Sequence, residues 1–298
     1  EAAAAGSLGS QWLPAELLRL HREAPFHLTA STLAALGEGR VEAPALGTCA
    51  AFLRDQPSRL AALPEATLLR LVVAASRSRA VAENLLDAVA AAASATLESW
   101  SMDEVAKLLL AAAKAGGGSD SKDVSRLFGR AAEVVMPKLP ALSPVQLIKI
   151  VLASGKAPGS WSLLRAAAAE AAQRAGGLPL PQLLLLTQGL LPLGGSDPSL
   201  LQVLDLWVAA AEQQGQREAP GAGDAACQEL PAADQLARLL QLLAACVPWH
   251  GICEVLARRL LEHAGALTAA GRASLEAAFP QGRGPDVRGK AALLRALR

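Results

Sequence analysis

Apolar residues recur along the chain at intervals of three and four, and this pattern returns in five segments. In each segment, apolar or small residues stand four, seven, eight and eleven places after an anchor residue. This spacing puts them on one face of a helix with 3.6 residues per turn, so the pattern predicts five copies of one amphipathic helix. The segments are 63–77, 100–114, 142–156, 178–192 and 232–245, and their anchors are Pro64, Ser101, Ser143, Pro179 and Ala232.

A second apolar stretch follows each of these helices, which predicts that every copy is a helical hairpin. Ser101 and Ser143 are each followed three places later by Glu or Gln, the pattern of a capping box at a helix start. Asp197 precedes a proline and marks another start. The second stretches cover 81–95, 124–135, 163–175, 200–211 and 252–263.

The hairpins follow one another at nearly regular intervals, which indicates a repeat protein. Successive anchors are 37, 42, 36 and 53 residues apart. Weaker copies begin near Thr29 and Thr268, where Gly37 and Gly271 interrupt the apolar pattern. We therefore predict an all-α fold, an α-solenoid of about six to seven stacked helical hairpins with a period of about 35–42 residues.

The repeat pattern also predicts the domain organisation. Residues 1–265 are predicted to form the helical-repeat array, with a degenerate N-terminal unit and a polar, Gly-rich surface-loop insertion at 213–226 that accounts for the longest interval. Residues 266–298 are predicted to form a degenerate capping repeat and a basic C-terminal extension.

Composition narrows the class of protein. The chain is 52% hydrophobic with a net charge of +1, which disfavours disorder and excludes a surface coated in positive charge. Four cysteines at irregular spacings favour a reducing compartment over secretion. The longest uncharged run, 175–196, contains three prolines, so we expect no membrane insertion.

Two segments carry a family resemblance. The phrases WSMDEVAKLLLAAAK and LSPVQLIKIVLASGK, the latter followed by WSLLRAAAAEAA, resemble organellar helical-hairpin repeat proteins of the heptatricopeptide and octotricopeptide type. These are similar to the repeats of RAP-domain and FAST-kinase-like proteins, and the resemblance covers roughly 60–265. It implies RNA binding in mitochondria or chloroplasts. No RAP-like α/β segment follows residue 265, so the nuclease-like role of that domain is not expected here.

Basic residues recur in register on the predicted outward face of the first helices. They stand six and thirteen places after the anchors, and offsets seven apart share one helical face. Stacked hairpins would align them into a linear track for RNA phosphates, although outward cations also serve solubility and the helix dipole. Leu185 interrupts the track. The members of this cation stripe are Arg70, Arg77, Lys107, Lys114, Lys149, Lys156 and Arg238.

Other candidate chemistry is sparse. We find no nucleotide-binding, nucleophile-elbow or metalloprotease motif, and expect neither an enzyme nor a cofactor. A weak candidate zinc site has the spacing C-x3-H-x2-C-x9-H, from Cys246, His250, Cys253 and His263, which matches no strong zinc signature. The tryptophans are expected to pack in the core. A basic C-terminal extension could dock on RNA or an acidic partner, and its cations are Arg283, Arg288, Lys290, Arg295 and Arg298.

Two main functional hypotheses remain. The first is a non-catalytic RNA-contacting helical-repeat protein of the mitochondrial matrix, or alternatively of the plastid, that is an accessory component of a mitochondrial ribosome or RNA-processing assembly. Its partners would be rRNA or an organellar transcript and other protein subunits. The second is a protein–protein scaffold subunit of a large organellar complex without RNA contact. A zinc-dependent enzyme would rest on the Cys/His cluster alone.

Overall fold

The computed structural model of this 298-residue chain is predominantly helical over the residues that it describes. It describes residues 26–38, 44–116, 121–157, 159–217, 233–247, 251–262, 265 and 267–279. These residues contain 14 α-helices and no strand, which confirms the all-α prediction.

The α-helices follow the predicted alternation of first and second helices. The first seven are α1 (Phe26–Glu38), α2 (Pro44–Arg54), α3 (Pro57–Ala61), α4 (Glu65–Ala75), α5 (Arg79–Thr96), α6 (Met102–Ala115) and α7 (Lys122–Val135). The rest are α8 (Pro144–Ser154), α9 (Trp161–Arg174), α10 (Leu180–Leu190), α11 (Pro198–Arg217), α12 (Ala233–Cys246), α13 (Ile252–Glu262) and α14 (Ala269–Ala278). Short 3-10 helices cover Leu97–Ser99, Met136–Ala141, Ala175–Gly177 and Leu191–Leu193.

Helix starts lie where the cap residues predict them. The Glu104 backbone N–H donates to Ser101 Oγ at 3.3 Å, and the Ser101 N–H donates back to the Glu104 carboxylate at 3.1 Å. Ser143 and Gln146 make the same reciprocal pair at the start of α8. Asp197 Oδ1 accepts from the backbone N–H two residues later. These bonds satisfy amides that a helix leaves unpaired at its N-terminus.

The predicted apolar face is the core. The residues at offsets four, seven, eight and eleven of the five first helices α4, α6, α8, α10 and α12 are all buried. The set includes two polar residues, and one of them, Thr187, donates its hydroxyl to the Leu183 carbonyl at 2.8 Å. The 3.6-residue period thus identified which side of each first helix faces its neighbours.

The chain divides into two compact units, Glu1–Ala167 and Ala168–Arg298. In the first unit, α1, α4, α6 and α8 contact one another in succession, and α2, α5 and α7 do the same. In the second unit, α12 contacts α14 and α11 contacts α13. In the first unit and in these pairs of the second, first helices therefore pack on first helices and second helices on second helices, whereas α10 packs on α11. A continuous solenoid over the whole chain stays a prediction.

Two predictions about the irregular copies were wrong in detail. Thr29 does not begin a helix, because α1 starts at Phe26 and Thr29 is buried within it. The helix α1 does end early, at Glu38, one residue after Gly37. The first residues of the predicted insertion at 213–226 belong to α11, which runs to Arg217 because Glu and Gln extend a helix readily.

The helical stretch Arg79–Ser99 has the length and hydropathy of a membrane span by composition alone, with 44% of its most apolar window buried. Its apolar residues Val81, Leu85 and Val89 are buried. Helices α2, α3, α4 and α7 all contact α5. These contacts account for its apolar character as that of a core helix.

Candidate nucleic-acid interface

Three members of the cation stripe lie in the middle of stacked first helices. Arg70 on α4, Lys107 on α6 and Lys149 on α8 occupy the same offset, and these helices contact one another in that order. Lys107 is exposed, whereas Arg70 and Lys149 are half-buried, and the Lys149 side chain is only 24% exposed. Packing against the neighbouring helix therefore covers part of this row.

An acidic residue bridges two cations of that row. Asp103, in the first turn of α6, has one carboxylate oxygen 2.6 Å from Lys107 Nζ and the other 3.2 Å from Lys149 Nζ. The hydrogen bond from Lys107 and the charges of both lysines hold the pKa of Asp103 below its ordinary value. The contact between Asp103 and Lys149 joins two hairpins. The negative charge of Asp103 partly neutralises the positive charges of both Lys107 and Lys149.

The remaining cations of the first unit lie at the hairpin turns. Arg77, Lys114 and Lys156 follow or end the helices α4, α6 and α8, and all three are exposed. The turns of the hairpins α4–α5 and α6–α7 line one groove that includes Arg77 and Lys114, so these two turns share one edge of the first unit.

A tryptophan is exposed at the next turn along the chain, between α8 and α9, contrary to the expectation that it packs in the core. Trp161 begins α9 and is 50% exposed, whereas Trp100 and Trp207 are buried as expected. The preceding Ser160 is fixed to the turn, because its hydroxyl donates to the Ser154 carbonyl at 2.6 Å. We call Arg77, Lys114, Lys156 and Trp161 the turn edge. A basic row with an exposed aromatic ring is suited to phosphates and a stacked base.

A groove of about 700 Å³ opens at the turn edge between the hairpin α4–α5 and the hairpin α6–α7. Arg77, Arg79 and Lys114 line it together with the carboxylates of Glu83 and Asp87. The sequence pattern did not single out Arg79, Glu83 or Asp87, because they belong to the second helix α5. Their spacing of four along one helix was the available signal.

The second unit contains one member of the cation stripe. Arg238 on α12 is exposed. At the equivalent position of α10, Leu185 is 41% exposed, as the outward face predicts. Leu242 and Leu261 are also exposed in this unit. Its outward surface thus carries leucines as well as cations.

The candidate zinc residues are described only in part. Cys253 is buried, its thiol lies 3.7 Å from the Val247 carbonyl, and burial raises its pKa to about 11. Cys246 is exposed. His250 and His263 lie outside the described residues, and the described residues contain no group of three or more side chains able to hold a metal. Because zinc binds the thiolate, the buried Cys253 thiol is a poor ligand as placed.

The predicted basic C-terminal extension, which contains Arg283, Arg288, Lys290, Arg295 and Arg298, lies entirely outside the described residues. It stays a prediction.

Comparison with known proteins gives no assignment. The chain matches no protein family profile and no curated protein sequence.

Proposed function

We propose that this protein is a non-catalytic, RNA-contacting helical-repeat protein that binds the phosphate backbone of RNA along the turn edge. The observation that carries the proposal is the exposure of Arg77, Lys114 and Lys156 at the ends of three first helices that contact one another in succession. A linear row of cations suits a polyanion whose charges repeat along one direction. Net charge near zero is compatible with such a local contact.

The cellular setting follows from the resemblance to organellar hairpin-repeat proteins. We place the protein in the mitochondrial matrix, with the plastid as the alternative, as an accessory component of a ribosome or of an RNA-processing assembly. Its RNA would be rRNA or an organellar transcript, and other subunits would share the contact. Cofractionation of the protein with purified organellar ribosomal particles tests the ribosomal assignment. Absence from the particles, with binding to free transcripts, would favour a processing factor.

The direct test is RNA binding by the purified protein over a salt series. A variant that carries Arg77→Ala, Lys114→Ala and Lys156→Ala should bind more weakly, with the slope of log affinity against log salt reduced by about 2, since each phosphate contact on single strands contributes about 0.7. The matched control replaces three exposed cations outside the turn edge, Arg54, Arg130 and Lys138, by alanine. The control should keep the wild-type slope.

A variant of Lys107 and Lys149 tests the members of the cation stripe that lie in the middle of the first helices. Lys107→Ala with Lys149→Ala should have a smaller effect than the turn-edge variant, because Asp103 already partly neutralises these lysines. No RNA binding by the folded wild-type protein at low salt would overturn the proposal.

The second candidate function is a protein–protein scaffold. The exposed Leu185 on α10, in the place of a cation, favours it for the second unit. Exposed leucines bind apolar partner surfaces well and phosphates poorly. Unchanged RNA binding in the turn-edge variant, together with loss of assembly in a Leu185→Lys variant, would favour the scaffold.

A further inference from the structure

The groove at the turn edge has the dimensions of a site for a small ligand. Its volume of about 700 Å³ lies within the range of roughly 300–1,000 Å³ that ligand clefts occupy. Its walls are the end of α4, the first turns of α5, the end of α6 and the residue before α7. All of these elements belong to the first unit.

The charges in the groove are separated along α5. Arg77 and Lys114 lie at the turns, where α4 and α6 end. Asp87 lies about 12 Å along the axis from the start of α5 at a rise of 1.5 Å per residue. Between them, Arg79 Nε lies 2.6 Å from Glu83 Oε1, so this pair is mutually neutralised. The groove therefore has a positive end and a negative end.

Ser78 adds a buried polar group without a protein partner. It is 2% exposed, it lines the groove, and its Oγ has no hydrogen-bond partner among the described residues. Ser78 stands at the N-cap of α5 but makes no side-chain capping bond. A buried hydroxyl without a partner is costly, so this atom indicates a ligand able to hydrogen-bond with it.

Asp87 can accept a further hydrogen bond. It already accepts one from the Ser121 hydroxyl. A carboxylate has about four acceptor sites on its two oxygens, so capacity remains for a donor from a ligand. A ligand that fits both ends of the groove therefore combines an anion with a hydroxyl or amine donor.

We infer that the groove holds one ribonucleotide unit of a bound RNA. Its phosphate lies between Arg77 and Lys114 and accepts from the Ser78 hydroxyl, and its ribose 2′-hydroxyl donates to Asp87. The inference rests on the proposed function and adds to it a sugar preference. DNA lacks the 2′-hydroxyl, so the negative end of the groove favours RNA over DNA.

The test compares one single-stranded RNA with the DNA of the same sequence. Wild-type protein should bind the RNA about tenfold more tightly, the size of one hydrogen bond to a charged acceptor. Asp87→Ala should bring this ratio close to one, even though removal of a negative charge strengthens the binding of both strands. Lys114→Ala should weaken both strands to the same extent and leave the ratio unchanged.

Two control variants separate the ribose contact from local structure. Ser121→Ala removes the hydroxyl that bonds to Asp87 but keeps the carboxylate, so it should keep the preference for RNA. Glu133→Ala removes an exposed carboxylate on α7, outside the groove, and should leave the ratio unchanged.

Failure of this inference and failure of the proposed function give different binding results. RNA binding with no RNA preference in the wild type, or with an unchanged ratio in Asp87→Ala, would overturn this inference and leave the proposed function standing. Absence of binding to either strand at low salt would overturn both.

Discussion

Asp234 on α12 holds the start of α14 through two hydrogen bonds from Thr268. The Thr268 hydroxyl donates to one carboxylate oxygen at 2.6 Å, and its backbone N–H donates to the other at 2.9 Å. Thr268 is also the N-cap of α14, since it accepts from the Gly271 N–H at 3.3 Å. A Cβ on Gly271 would lie 2.1 Å from Asp234 Oδ1. One carboxylate therefore fixes the helix start and requires a glycine beside it.

Acid should remove the contribution of this contact to stability. The hydrogen bonds from Thr268, that of the hydroxyl first, lower the pKa of Asp234 in the folded protein. A depressed carboxylate pKa stabilises the fold above the unfolded value of about 3.9, and this stabilisation is lost as the pH falls through the folded value. The melting-temperature difference between wild type and Asp234→Asn should be largest near neutral pH and shrink as the pH falls below the unfolded value. Thermal melts over this range check it, and a constant difference would contradict it.

Two glycine substitutions should have opposite effects on stability. A Cβ on Gly37 would stand 2.5 Å from the Ala74 Cβ, so Gly37→Ala should overpack the contact between α1 and α4 and cost about 1–3 kcal/mol. Gly129 lies exposed in α7, and its Cβ would meet nothing within 4 Å. Gly129→Ala should therefore stabilise the protein by about 0.5–1 kcal/mol. Denaturant unfolding measures both free-energy changes, and stabilisation by Gly37→Ala would refute the close contact at Gly37.

Replacement of the capping residue Ser143 by alanine should lower the free energy of unfolding more than its replacement by glycine. Ser143→Ala leaves the first amides of α8 without their side-chain acceptor and should lower the unfolding free energy by about 1 kcal/mol. Ser143→Gly should cost only a few tenths, because glycine leaves those amides open to water. No loss of unfolding free energy in Ser143→Ala, measured by urea unfolding, would show that the hydroxyl is not the stabilising group.

Removal of the Asp103 carboxylate, which bridges Lys107 and Lys149, should strengthen RNA binding if these two lysines contact RNA. Asp103→Asn releases Lys107 and Lys149 from their shared counter-charge. Affinity at low salt should therefore rise, and the gain should shrink as salt screens the charges. Glu133→Gln, which removes an exposed carboxylate that pairs with Arg130 on α7, is the matched control. Equal gains in both variants would indicate a general charge effect.

The exposed tryptophan should contribute to RNA binding without contributing to stability. Trp161→Ala should weaken RNA binding about tenfold, within the range for one stacked base, whereas Trp161→Phe should retain most of it. Because the ring is 50% exposed, the melting temperature should change little. Filter binding and thermal melts measure the two effects. A large loss of stability with unchanged RNA affinity would assign Trp161 to packing instead.

The helices and their starts could be predicted because their causes are local. The apolar face of α6 is set by Val105, Leu108 and Leu109, and its start by Ser101 and Glu104, all within one helix. Each of these signals acts over three or four residues, the distance at which helix neighbours meet. The buried face and the capping bonds agree with the structure for this reason.

The details that failed depend on a neighbouring hairpin. The sequence predicts a helix end near Gly37 but not its contact with Ala74, where a glycine permits the close approach of α1 and α4. The bridge from Asp103 to Lys149 joins residues 46 apart and depends on the register of α6 against α8. Trp161 is exposed because of where α9 begins, which its own residue type does not reveal. Periodicity within one helix contains no information about the register between helices.

The bonds between neighbouring hairpins also bear on how the chain folds. Ser99 donates to Glu65, Ser121 to Asp87 and Thr268 to Asp234, and in each case the two residues are 34 apart. Loops of this length close at a modest entropic cost, and contacts this local favour rapid folding. During synthesis, each hairpin within a unit leaves the ribosome after the neighbour on which it packs. Order can therefore spread towards the C-terminus one hairpin at a time, while the rest of the chain is still being made.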